Sequence, residues 1–126
     1  MNGLNELAAE VYHNNVAKGF YEKPKNIGEM IALMHSELSE MLEADRKDRY
    51  SRMTQDRWSL LNSSPDDEAY KECFEAIIKD TFEDELADTF IRVLDMAGFM
   101  DIDLHRHVEA KMRYNALRQK YHGKKY

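Results

Sequence analysis

Residues 26–46 decide the fold: Asn26-Ile27-Gly28-Glu29-Met30-Ile31-Ala32-Leu33-Met34-His35-Ser36-Glu37-Leu38-Ser39-Glu40-Met41-Leu42-Glu43-Ala44-Asp45-Arg46. Asn26 stands three residues before Glu29 and directly ahead of an apolar pattern, the signature of a helix N-terminus. From there Ile27, Met30, Ile31, Met34, Leu38, Met41 and Leu42 recur at steps of three and four, the period of an amphipathic helix. On a helical wheel the main apolar stripe centres on Ile27, Ile31, Met34 and Leu38. Glu37 and Glu40 fall beside it, on a narrower stripe with Leu33 and Ala44, while Glu29 and Glu43 point to solvent.

The remainder of the chain carries the same period. Two prolines, five glycines and no alternating β-branched stretch predict an all-α protein. A first helix is expected from Leu4 to Lys18, with Gly19 at its C′ position. Residues 46–64 are polar, contain Trp58, and read as a variable connection that is functional, mobile or partly helical. Ser64 and Pro65 read as an N-cap and first-turn proline. They would open a helical region to Ala97 with a break near 78–80, which Gly98 ends. Asp101 or Asp103 would cap a last helix running to Tyr121, before a tail at 122–126. At 126 residues the chain fits one domain.

Bulk properties narrow the function classes. A net charge of −6 argues against a nucleic-acid partner, because gripping a polyanion normally needs a cationic surplus. The longest apolar run, Met30 to Met34, is far too short to cross a bilayer. One cysteine, Cys73, allows no intrachain disulfide and reads as a packed residue, in keeping with a reducing compartment. The expectation is a soluble cytoplasmic protein.

The chemistry lies in two acidic pairs, Glu37 with Glu40 and Glu85 with Asp88. A spacing of three stacks two carboxylates on one helix face. In the later helix Phe82, Leu86, Phe90, Val93 and Ala97 form the apolar stripe, which Glu85 and Asp88 flank. Four carboxylates meeting between two helices repel one another unless a divalent cation neutralises them, and an all-oxygen set suits Mg²⁺ or Mn²⁺. Asp95 would serve as an outer ligand or pair with Arg92, and Glu83 and Asp84 point to solvent. Further on, Lys111, Asn115 and Arg118 share a stripe with Tyr114 beside them, a plausible grip for phosphates and a sugar or base.

The order of these motifs resembles the MazG-like, all-α nucleoside triphosphate pyrophosphohydrolases, whose signature is E-E-x-x-E on one helix and E-x-x-D on the next. Ser36-Glu37-Leu38-Ser39-Glu40 is similar to the first motif and Glu85-Leu86-Ala87-Asp88 to the second. Lys111-x-x-Tyr114-Asn115-x-x-Arg118 resembles the family's basic segment. One position departs: Ser36 stands where a leading glutamate is usual, roughly 100° around the helix from Glu37. The resemblance implies hydrolysis of a nucleoside triphosphate to a monophosphate and pyrophosphate. Glu37, Glu40, Glu85 and Asp88 would hold Mg²⁺, with Glu37 or Glu40 orienting the attacking water. Lys111 and Arg118 would offset charge on the leaving pyrophosphate, Tyr114 and Asn115 would contact ribose or phosphate, and Lys18 and Phe20 would approach the base. It further implies a helical bundle whose four-helix arrangement is completed in a homodimer or homotetramer, as a small subunit with apolar helix faces also favours.

Three other readings stay open. A ferritin-like di-iron protein needs two E-x-x-H motifs, and this chain has one, Glu10 to His13. A non-enzymatic helical interaction module would leave the acids solvated and offer the basic cluster Arg46, Arg49, Arg52 and Arg57 to a partner. A deoxyuridine triphosphatase or a phosphoribosyl pyrophosphohydrolase would keep the fold and change the substrate.

Overall fold

The computed structural model describes residues 3–118. Among them every regular element is helical: α1 (Gly3–Ala17), α2 (Ile27–Arg46), α3 (Gln55–Asn62), α4 (Asp67–Ile77), α5 (Phe82–Phe99) and α6 (Leu104–Ala116). None of these helices is long and apolar enough to cross a membrane.

Local chemistry accounts for the helix ends. Asn26 caps α2 by accepting a hydrogen bond from the Glu29 N–H at 3.1 Å, as its position predicts. Gly19 adopts φ +85° after α1, with the Gly19 N–H bonded to the Val16 carbonyl and the Phe20 N–H to the Asn15 carbonyl. That pair of bonds is a Schellman closure. The same closure ends α2 at Asp48 (φ 52°) and α5 at Asp101 (φ 53°), where aspartate takes the left-handed position usually given to glycine.

Several expected boundaries move. The polar connection contains α3, capped by Thr54, whose hydroxyl accepts from the Arg57 N–H. Ser64 does not cap the next helix; its hydroxyl donates to the Leu61 carbonyl at 2.7 Å and closes α3. Asp66 caps α4 instead, accepting from the Ala69 N–H at 2.8 Å. The expected break is present between Ile77 and Phe82, with Asp80 at φ 64°. Gly98 lies inside α5 rather than after it: a Cβ there would meet the Ala8 carbonyl oxygen and the Tyr12 Cβ at 2.7 Å, so close packing explains the glycine. The last helix starts after Asp103, which accepts from the Arg106 N–H, and ends at Ala116 rather than Tyr121. The tail at 122–126 lies outside the described residues.

The chain forms two compact units, one holding the segments up to Lys25 and from Val93 onward, the other Asn26–Arg92. In the first, α1 packs on α6, and Ala8, Leu94 and Ala97 form a core flanked by Val11 and Leu104. The Asn5 side chain donates to Asp103 at 2.8 Å and accepts from the His105 N–H at 3.0 Å. Asp95 Oδ2 accepts a 2.6 Å hydrogen bond from the Tyr21 hydroxyl, and Arg92, its expected partner, pairs with Glu37 instead. The Tyr21 ring stacks on Phe99.

In the second unit α3 packs on α4, and Met30, Ala44, Leu61 and Ile78 are buried. Glu83, expected in solvent, instead accepts from the Ser51 and Arg52 N–H groups at 2.9 and 3.0 Å. Burial pushes its carboxyl up, but those backbone bonds win and hold it at about 2. The buried faces of α2 and α5 differ from the wheel. Ile31 is 44% exposed and Leu86 51% exposed, while Met30, Glu37 and Ala44 turn inward from α2 and Glu85 from α5. Ile31 and Leu38 of the α2 stripe and Leu86 and Phe90 of the α5 stripe therefore lie exposed, while Ala97 is buried, and of the bordering acids Glu37 and Glu85 lie inside.

Candidate metal centre

Glu37 and Glu85 are the two buried acids of the 26–92 unit, only 8% and 5% exposed. A carboxylate in such a place needs a partner for each oxygen or a reason to lack one. Glu37 Oε1 accepts a 2.9 Å hydrogen bond from Arg92 Nε. Glu37 Oε2 and Glu85 Oε2 have no hydrogen-bond partner. Glu40, one turn along α2 from Glu37 and exposed, completes the group: Glu37, Glu40 and Glu85 each bring an oxygen within 4.8 Å of the others.

The electrostatics follow from that crowding. Burial pushes Glu85 up to about 8, and the neighbouring Glu37 and Glu40 carboxylates push in the same direction. Burial also raises Glu37, but the Arg92 guanidinium bonded to it carries it below its ordinary value. With its carboxyl raised to about 8, Glu85 is the acid that keeps its proton at neutral pH. Convergent hard oxygen donors, two of them buried with an oxygen unspent, fit a divalent cation, which would displace that proton.

Asp88 stands outside this oxygen group. Its carboxyl is raised by burial and then by the charges of Asp84 and Glu37. It lines a neighbouring cavity of 490 Å³ with Trp58, Tyr70, Phe74, Leu61 and Ile91, an apolar space with acids at one edge. A separate cleft of 230 Å³ is lined by Glu40, Glu43, Ala44, Arg49, Asp80 and Glu85. Asp80, Asp84 and Glu85 also bring oxygens within 4.8 Å of one another. Asp84 was expected in solvent, and nothing in the sequence marked Asp80, whose approach depends on the turn before α5.

Ser36, in the place of the leading glutamate, turns its hydroxyl back to the Leu33 carbonyl at 2.9 Å. The basic cluster is largely spent within its own unit. Arg57 donates to the Ser51 carbonyl, Arg52 pairs with Asp48, and Arg46 lies 4.0 Å from Glu43.

The remaining expected site residues belong to the other unit. Lys111, Tyr114 and Asn115 are exposed on α6, with Lys111 Nζ 5.0 Å from the Tyr114 ring centroid. Arg118, just past α6, lies 5.4 Å from the same centroid, so both cations gather on one phenol ring. Lys18 and Phe20 are exposed at the end of α1. Comparison of the chain with protein families, with curated proteins and with solved structures gave no match.

Proposed function

We propose that this protein is a divalent-cation-dependent nucleoside triphosphate pyrophosphohydrolase, converting a ribo- or deoxyribonucleoside triphosphate to its monophosphate and pyrophosphate. The observation that carries the reading is the meeting of Glu37, Glu40 and Glu85 from two helices, with buried oxygens left unpartnered. Solvated acids of an interaction module would have no reason to be buried.

Glu37, Glu40 and Glu85 would hold Mg²⁺ or Mn²⁺, with Asp88 at the edge of the same acidic region. Such an ion would offset phosphate charge and lower the pKa of the attacking water. Water oxygen then bonds to the α-phosphorus, and the bond from that phosphorus to the α–β bridging oxygen breaks, its electron pair leaving with pyrophosphate. Arg92 fixes Glu37 through Oε1. Glu40, the exposed member of the three, is the carboxylate best able to orient the water and take its proton. Lys111 and Arg118 would stabilise the departing pyrophosphate, and Tyr114 and Asn115 would contact ribose or phosphate. Lys18 and Phe20 would approach the base.

The exposed apolar ridges of α2 and α5, Ile31, Leu38, Leu86 and Phe90 among them, support association into a homodimer or homotetramer of the MazG-like kind. A reducing cytoplasm fits the lone Cys73. A deoxyuridine triphosphatase or phosphoribosyl pyrophosphohydrolase would use the same acids, which read phosphate and metal but not the base.

The test is pyrophosphate release from a panel of nucleoside triphosphates in Mg²⁺, Mn²⁺ or EDTA. Release that needs the ion and disappears in Glu40→Gln supports the reading. A folded protein that releases none from any nucleotide refutes it.

A further inference from the structure

We infer that Arg49 is the residue that grips the substrate's polyphosphate chain beside the acidic centre. The inference rests on the hydrolysis proposed above and adds to it a cation that neither the acidic pairs nor the basic segment of α6 supplies.

Arg49 lines the 230 Å³ cleft together with Glu40 and Glu85, two members of the centre, and with Glu43 and Asp80. Among the described residues that line the cleft it is the one cation. An arginine placed only to offset those acids would pair with one of them. The other arginines of the 26–92 unit are engaged: Arg46 lies 4.0 Å from Glu43, Arg52 pairs with Asp48, Arg57 donates to the Ser51 carbonyl and Arg92 to Glu37. The Arg49 side chain has no such partner among the described residues and is exposed.

The backbone around it is pinned. The Arg49 N–H donates to the Ala44 carbonyl at 2.8 Å, and its own carbonyl accepts from the Phe82 N–H at 2.8 Å. Arg49 therefore ties the end of α2 to the start of α5, the two helices that carry Glu40 and Glu85. On its far side the Ser51 and Arg52 N–H groups bond to Glu83 of α5, and the Tyr50 ring stacks on Phe82. A non-helical segment held at so many points presents its side chains from a fixed place, which lowers the cost of ordering them on a ligand.

Acids at this density repel a polyphosphate. A bound divalent cation reverses that for the oxygens it coordinates, and the remaining oxygens need a donor. A guanidinium offers a phosphate two parallel N–H···O bonds. Negative charge gathers on pyrophosphate as it leaves, so the same grip strengthens during the reaction.

The test measures binding of inorganic pyrophosphate in excess Mg²⁺ by isothermal titration calorimetry, for the full chain and for Arg49→Met, Arg49→Lys and Arg46→Met. Arg49→Met should bind pyrophosphate about 10- to 100-fold more weakly, the range a lost charge-assisted bond gives. Arg49→Lys keeps the charge without the fork and should fall between the two. Arg46→Met removes the same charge from outside the cleft and should bind as wild type does. Affinity for Mn²⁺ alone should not fall in any variant, and a thermal melt checks that each folds; Arg49→Gln replaces Arg49→Met if the latter does not. Equal pyrophosphate affinity in wild type and Arg49→Met overturns the assignment, as does a wild type that binds none. Equal weakening in Arg46→Met overturns it as well, because diffuse charge would then suffice. So does loss of Mn²⁺ affinity in Arg49→Met, since the residue would then serve the acids. Failure of the hydrolysis reading would look different, as pyrophosphate bound through Arg49 but released from no nucleotide.

Discussion

Replacing Glu85 by glutamine should stabilise the cation-free protein at neutral pH while removing its response to metal. Glu85 is held at about 8 by burial and then by Glu37 and Glu40, against an ordinary value of 4.5. Its folded-state value is raised, so its contribution is most favourable below pH 4.5 and is lost as pH climbs to about 8. Each pH unit in that window costs about 1.4 kcal/mol, so two units, from pH 5 to 7, amount to about 3 kcal/mol. Glu37 is shifted the other way, and its loss of stability falls below pH 4.5, outside the window. Asp88 is raised too and adds in the same sense, but it is present in both proteins. Urea unfolding in EDTA at pH 5, 6, 7 and 8, for wild type and Glu85→Gln, measures the difference. Wild type should lose about 3 kcal/mol relative to the variant between pH 5 and 7. At pH 7, millimolar Mn²⁺ should then restore stability to wild type and leave the variant unmoved, because only the wild-type site binds the ion in its folded form. A stability difference flat with pH would show that Glu85 is not the proton-holding acid and would refute the electrostatic reasoning.

Other perturbations test separate parts of the structure. Arg92→Met strips the guanidinium from buried Glu37; with Arg92 itself 38% exposed at its side chain, the cost should be about 1–3 kcal/mol in urea unfolding, and a change under about 0.5 would mean the pair is idle. Gly98→Ala places a Cβ 2.7 Å from the Ala8 carbonyl oxygen, so overpacking of about 1–3 kcal/mol should outweigh the roughly 1 kcal/mol gained in helix propensity. Its melting temperature should fall, and a rise would show that the backbone yields. Glu83→Gln weakens two charge-assisted bonds to Ser51 and Arg52 and should cost about 1–3 kcal/mol at pH 7. Glu83 is depressed to about 2, so its contribution is present above pH 4.5 and fades as pH falls through 2; the gap between wild type and variant should close across that range in acid titration.

Local signals made the helices legible and left their faces hidden. The Asn26 cap and the three-and-four spacing that follows it are properties of adjacent residues, so α2 was readable to its last turn. The aspartate closures at Asp48 and Asp101 were not, because aspartate takes the left-handed region far less often than glycine and gives no signal of its own. Gly98 misled for the complementary reason: it serves close packing against α1, which no neighbour in sequence reports. Ser64-Pro65 carried a sound capping pattern, but Asp66, two residues past Ser64, takes the cap. The wheel assigned the inner face of α2 to its most apolar stripe, whereas Met30, Glu37 and Ala44 lie there. A buried acid inverts hydrophobic patterning, and sites that carry chemistry are where such inversions are expected. The pairing of Glu37 and Glu40 with Glu85 was readable from spacing; Asp80 was not, since its approach depends on a turn.

The most direct measurement of the proposed chemistry is turnover of a nucleoside triphosphate in ¹⁸O-labelled water with Mg²⁺, the products read by mass spectrometry. Attack at the α-phosphorus requires one labelled oxygen in the monophosphate and none in the pyrophosphate, with no turnover in Glu40→Gln. Label in the pyrophosphate, or a folded wild-type chain that turns over no nucleotide, would contradict the account.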